Sequence, residues 1–177
     1  MTILNTVSPD EAEGKVAEIY QQVSDAFGFI PNGMNLYSVN PVAMERQWGY
    51  LGYSMQHPKL SNLLLALIRL LVSVNKGCDY CVNLNTGILL QNGLSMEDIQ
   101  ALKEDTTRAP LEKADMAMLQ FVLKATDDAN SRSAEEVQQL RDFGFEDKDI
   151  FDAVQHGAYM VATEILFDTF NLENDQM

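Results

Sequence analysis

Two thiols, Cys78 and Cys81, stand three positions apart in "NKGCDYCVNLN" (residues 75–85) and are the only cysteines among 177 residues. A Cys-x-x-Cys pair can act as a dithiol–disulfide couple, form half of a metal site, or fill space as two small buried hydrophobes. Its placement favours the first use. Gly77 breaks the preceding helical run, so Cys78 falls at the start of the next helix, where unpaired N–H groups and partial positive charge favour an anion. A thiolate is such an anion, and a helix start lowers a cysteine pKa. Spacing of i and i+3 puts both thiols on one helical face, within reach of a disulfide, with Asn85 at i+4 from Cys81 on the same face. Zinc is a poor fit. A structural site needs four ligands, and the remaining candidates, His57 and His156, lie far off and unpaired in sequence. No metal and no cofactor are expected.

Other side chains bear on the pair. Arg69, with Asn62 and Ser73, makes a polar stripe on the otherwise apolar run "LLLALIRLLVSV" (63–74). A cation near Cys81 would favour its thiolate; the alternative is an Arg69 paired with an acidic residue or lying at a subunit surface. His156 follows Asp152 by four residues and is open to orientation by it, or to a surface or packing role. His57, before Pro58, reads as a loop residue. Glu164 reads as a solvated edge of the last helix, with a buried carboxylate as the alternative. Arg69, Asn85 and His156 are thus auxiliary candidates to Cys81 and Cys78.

Stepping outward, the chain reads as helices throughout, with no convincing strand-type alternation. Ser8-Pro9-Asp10-Glu11 reads as a capping box opening a helix that runs to about Phe27. "GFIPNG" (28–33) reads as a loop. Asn40-Pro41 starts a second helix that ends before His57-Pro58. The next spans about Ser61 to Asn75, and the cysteine helix runs from near Cys78 to Asn92-Gly93. A short helix opens at "SMED" (95–98), another at Pro110 and runs to about Ala129, one at "SAEE" (133–136), and the last covers about Asp147 to Phe170. "GLSMEDI" (93–99) and "GFEDKDI" (144–150) share Gly, then Asp five positions on, then Ile. That pattern is either common helix punctuation or a duplicated helical hairpin.

Composition narrows the function class. Hydrophobic residues make up 46%, enough for a real core in one domain. With 12 basic against 26 acidic residues the net charge is −14, and the pI is about 4.3. Nucleic acid is therefore an unsuitable partner, as is an anionic membrane surface. The N-terminal "MTILNTVSPDEAEGK" has neither a basic start nor a long apolar run, and 63–74 is too short to span a bilayer. A reducing, cytoplasmic compartment is expected.

The run "LSNLLLALIRLLVSVNKGCDYCVNLNTGILLQNGLSMEDIQAL" (60–102) resembles the core of the AhpD-like alkylhydroperoxidases in the carboxymuconolactone decarboxylase superfamily. Upstream, "GFIPNGMNLYSVNPVAME" resembles segments of the peroxidase-related branch more loosely. The resemblance implies an all-α bundle with an internal helical repeat, organised as a single domain over 1–177: N-terminal helices (1–59), the Cys-x-x-Cys core (60–102) and C-terminal helices (103–177). It also implies assembly as a homo-trimer or hexamer and peroxide reduction recharged by a dithiol reductant. By the same resemblance Cys81 attacks peroxide and Cys78 resolves the intermediate. The family's proton relay does not carry over: its glutamate position is Ala66 and its histidine position is Asn85. The expectation is a thiol–disulfide redox protein, at most a slow alkylhydroperoxidase. The alternatives are a non-catalytic member that binds a small molecule or partner, and a relative of the lactone decarboxylases.

Overall fold

The computed structural model describes residues 2–131 and 133–175, which hold nine α-helices, three short 3-10 turns and no strand. The chain divides into two compact units. One comprises the chain up to Gln56 together with the chain from Leu166 on; the other is His57–Ile165.

In the first unit, Ser8 and Glu11 interact as expected, Ser8 Oγ donating to Glu11 Oε2 at 2.8 Å. They open only a 3-10 turn, Pro9–Glu11, and the continuous helix expected from there does not form. Gly14 adopts φ 55°, a left-handed conformation that interrupts helix propagation, and α1 spans Gly14–Phe27. The segment after Gly28 is more ordered than its Gly and Pro content suggests. After Pro31 it forms a short helix α2, Asn32–Tyr37. Asn40 then caps α3, Pro41–Met55, by accepting from Val42 and Ala43 N–H groups. Val16, Ile19, Tyr20 and Val23 of α1 pack with Met34 and Met44, as the 3.6-residue periodicity of α1 predicts.

The second unit is built on α4, Asn62–Lys76, capped by Ser61. Nine of its residues from Leu64 to Ser73 are buried, which is why it reads as apolar nearly all round. α5 (Asp79–Gln91) and α7 (Lys113–Asp127) pack against it. α7 begins three residues later than Pro110 suggests, because a 3-10 turn (Thr106–Arg108) and extended backbone at Ala109 precede it. α6 (Met96–Glu104), α8 (Ala134–Asp142) and, as far as Ile165, α9 (Asp147–Thr169) complete the set.

The two Gly-x-x-x-x-Asp segments form the same turn. Gly93 and Gly144 adopt φ 92° and 90°. Leu94 N–H reaches back to Leu89 O at 3.1 Å, and Phe145 N–H to Leu140 O at 3.2 Å, the long bond of a Schellman cap. The aspartates repeat the match. Asp98 Oδ2 accepts from Ser95 N–H at 3.2 Å, and Asp149 Oδ2 from Glu146 N–H at 2.8 Å. Ile99 and Ile150 are then both buried. Common punctuation accounts for the glycine alone; the matching bonds down to the aspartate and isoleucine mark a duplicated α5–α6 and α8–α9 hairpin.

Candidate functional site

The cysteines sit where α4 hands over to α5. Gly77 adopts φ 81° and its N–H bonds to Ser73 O at 2.9 Å; the Cys78 N–H shares that acceptor at 3.2 Å. Val82 N–H then bonds to Cys78 O at 2.9 Å, which makes Cys78 the N-cap and Cys81 the third helical residue of α5. Asn40, Ser61, Ser95 and Ser133 each accept a backbone N–H at their helix starts. The Cys78 side chain makes no such bond. The first-turn amides of α5 therefore keep their positive end for whatever anion lies beside them.

Cys78 Sγ donates to Cys81 Sγ at 2.7 Å, and neither residue is in a disulfide. Both are buried, at 0% and 2% exposure. This proximity needs no rearrangement of either helix to become a covalent S–S bond.

Behind Cys81 lies a polar chain inside an apolar shell. Asn85, 2% exposed, donates from Nδ2 to Cys81 O at 2.9 Å. Its Oδ1 accepts from Arg69 Nε at 2.9 Å. Arg69 Nη1 lies 3.2 Å from His156 Nε2. Burial, reinforced by the Arg69 guanidinium, lowers the His156 pKa from 6.5 to about 3 against the opposing effect of a bond to the Leu65 backbone. Nε2 of this neutral ring is the acceptor for Arg69. Ser73, fully buried, fastens the same turn of α4 by donating to Arg69 O at 2.7 Å.

Four α4, α5 and α9 residues named from sequence thus come together: Arg69, Cys81, Asn85 and His156, with Cys78 against Cys81. Two other expectations are corrected. Asp152 does not orient His156; its Oδ2 lies 3.3 Å from His57 Nε2 instead, because the two α9 side chains face different neighbours. His57 lies in the loop between α3 and α4, as expected, and is anchored there. Its side chain is buried, and Nδ1 accepts from the Lys59 and Leu60 N–H groups at 3.2 and 2.9 Å. Glu164 is no solvated edge, being 2% exposed. Ala66, where the resembling family carries its relay glutamate, is buried at 2% and offers nothing polar.

Sequence reasoning missed Gly157. A Cβ there would lie 2.6 Å from Val122 Cγ1 and 2.9 Å from Thr126 Cγ2, so only glycine lets α9 approach α7 this closely and carry His156 inward. A glycine following a histidine within an apolar helix was the available signal. An open groove of about 640 Å³ also runs along α7 and α8, lined in part by Asn75, Phe121, Lys124 and Glu136, and contains neither cysteine. Among the described residues, no group of three or more His, Cys, Asp or Glu side chains is arranged to hold a metal ion, and no helix is long and apolar enough to cross a membrane.

Residues 41–109, which include the whole α4–α5 junction, match the model of the carboxymuconolactone decarboxylase family. A peroxidase-related protein from Ralstonia eutropha with an alkylhydroperoxidase AhpD core has the same fold, with a TM-score of 0.85 over 99% of this chain and 93% of that one at 19% identity. Residues 41–109 thus carry that family's sequence pattern, and the chain has the all-α fold of AhpD-like proteins. Other solved proteins share the fold. A peroxidase-related protein from a Silicibacter species gives a TM-score of 0.79 at 21% identity, covering 98% of this chain and 92% of that one. The debrominase Bmp8 gives 0.79 at 16% identity, covering 99% and 93%. A cysteine-to-alanine variant of that debrominase binds 2,3,4-tribromopyrrole. No curated protein matches the sequence.

Proposed function

We propose that this protein is a member of the AhpD/carboxymuconolactone decarboxylase superfamily and a thiol–disulfide redox protein in which Cys78 and Cys81 supply two electrons to a small electrophile, an alkyl hydroperoxide in the first instance. The observation that carries the reading is the 2.7 Å Sγ–Sγ approach of Cys78 and Cys81 at the start of α5, where no side chain caps the helix. The Cys81 thiolate attacks the peroxide oxygen, forming a sulfenic acid and releasing alkoxide, which takes a proton from solvent. Cys78 then displaces water from the sulfenic acid to close the disulfide. The sum is one hydroperoxide and two thiols giving alcohol, water and one disulfide. An external dithiol returns the pair to its reduced form by exchange.

The peroxidase-related neighbours support this reading as kin of similar fold. The missing titrating relay argues for a slow turnover, since general acid–base assistance is worth about two to four orders of magnitude. A second electrophile is supported by the debrominase neighbour: two thiols and one carbon–bromine bond give a carbon–hydrogen bond, one disulfide and hydrogen bromide. The test is to mix reduced protein with one equivalent of alkyl hydroperoxide or of tribromopyrrole and follow free thiols. Loss of two thiols per equivalent, well ahead of free cysteine, supports the reading and selects the electrophile. Oxidation by both no faster than free cysteine sinks it.

A further inference from the structure

The family's relay passes protons between a carboxylate and an imidazole; the network behind Cys81 cannot. An arginine stays protonated at every accessible pH, an amide does not titrate, and His156 is held neutral by its burial and its bond from Arg69. What the network does hold is charge. One side-chain amide, that of Asn85, stands between the Arg69 guanidinium and the Cys81 carbonyl, with both bonds at 2.9 Å. His156 fixes the other edge of the guanidinium at 3.2 Å and Ser73 fastens its backbone. Asn85 and His156 are buried and Arg69 is half-buried, so solvent screening of the cation is reduced.

We infer that Arg69 is a positioning residue that replaces the titrating relay with a permanent cation, clamped by Asn85 and His156 behind the first turn of α5. It acts through Asn85 on the placement of Cys81 and through its charge on the thiolate. The inference deepens the redox reading, though the ionisation it describes belongs to the thiol itself. The other titratable and charged groups on the elements meeting here are Lys76 on α4; Cys78, Asp79 and Tyr80 at α5; Glu97, Asp98, Lys103 and Glu104 on α6; Lys113, Asp115, Lys124 and Asp127 on α7; and Asp147, Lys148, Asp149, Asp152, His156, Tyr159, Glu164 and Asp168 on α9. Lys76, Asp79, Lys113, Lys124 and Asp127 are exposed to solvent, so they are screened more strongly than half-buried Arg69.

The test follows thiolate formation by its ultraviolet absorbance, in the Cys78→Ser background where Cys81 is the only thiol. This readout needs no substrate and no access to the sulfur. The expected result is a single ionisation with no second inflection from an imidazole. Arg69→Gln should raise its midpoint by about one pH unit, a tenfold loss of thiolate below the midpoint. Arg69→Lys, which keeps the charge, should restore most of that shift, a rescue that a purely structural role would not give. His156→Gln keeps an acceptor for Arg69 and should leave the midpoint in place. Should Arg69→Gln fail to fold, Asn85→Asp, an isosteric carboxylate against the guanidinium, should move the midpoint upward as well. A midpoint unmoved in folded Arg69→Gln or in Asn85→Asp, or a profile of the Cys78→Ser parent with two inflections that collapses to one on adding His156→Gln, overturns the inference. Thiols that titrate as expected yet persist in hydroperoxide would instead sink the redox reading and leave the cation in place.

Discussion

The starts of α5 and α8 are the same position in a repeated hairpin and are finished in opposite ways. At α8, Ser133 Oγ accepts from Glu136 N–H at 3.3 Å and Glu136 Oε2 accepts from Ser133 N–H at 3.0 Å, a closed capping box at the N-cap and third helical residue. Glu136 Oε1 also takes Lys124 Nζ at 2.6 Å, so this helix start is tied to α7 at the surface. At α5 the same two places hold Cys78 and Cys81, no side chain caps the helix, and the support comes from buried Asn85, Arg69 and His156 behind. One end has been closed for stability. The other has been left open to an anion, with the stabilising bonds moved to the far side of the chain. The teaching is that a cysteine pair at N-cap and third position displaces the residues that would otherwise cap the helix, and stability there must come from elsewhere.

The strongest way to break the comparison is at the open end. Cys81→Ser should abolish peroxide-driven thiol loss, whereas Cys78→Ser should leave Cys81 able to attack and then form mixed disulfides with added thiol, visible by non-reducing electrophoresis. Next come the supports that α8 does not need. Gly157→Ala drives a methyl into Val122 and Thr126 and should cost up to about 3 kcal/mol, read from urea unfolding, while also displacing His156. His156 gives a pH signature. Its folded pKa, about 3, lies below the ordinary 6.5, so the folded state binds fewer protons between those values. Its contribution is complete above about pH 6.5 and is lost as pH falls toward 3, reaching about 2 kcal/mol of loss by pH 5. His156→Gln should flatten the unfolding free energy across that window; an unchanged slope would exclude a neutral buried imidazole.

Smaller effects sharpen the contrast between the two ends. Ser133→Ala should cost about 1 kcal/mol in stability and leave the thiol titration untouched. Cys78→Ser should do the reverse: by supplying a capping hydroxyl it should stabilise α5 by about 0.5 kcal/mol while ending disulfide formation. A destabilised Cys78→Ser protein would mean that the uncapped helix start carries no free energy cost in the reduced state.

Much of this comparison was legible in the sequence. Gly77, Gly93 and Gly144 mark helix ends that only the left-handed region allows, and the apolar run before Gly77 identifies the central helix. Ser95 and Ser133 are visible as caps because their reach is local, within three residues. The failures have one cause: they depend on which neighbour a side chain meets across the fold. Asp152 and His156 share an α9 spacing that suggests partnership, yet Asp152 meets His57 and His156 meets Arg69, at 95 and 87 residues' separation. Gly14 looks like any residue of a helical run until its positive φ breaks it, and nothing local tells Glu164 that it will be buried.

The most direct measurement is the mass of the fully reduced protein before and after one equivalent of alkyl hydroperoxide, with peptide mapping of the product. The account predicts loss of two hydrogen atoms and a single crosslinked peptide joining Cys78 to Cys81, formed well before free cysteine reacts. An unchanged mass with both thiols intact, or oxidation that stops on one sulfur with no crosslink, would contradict it.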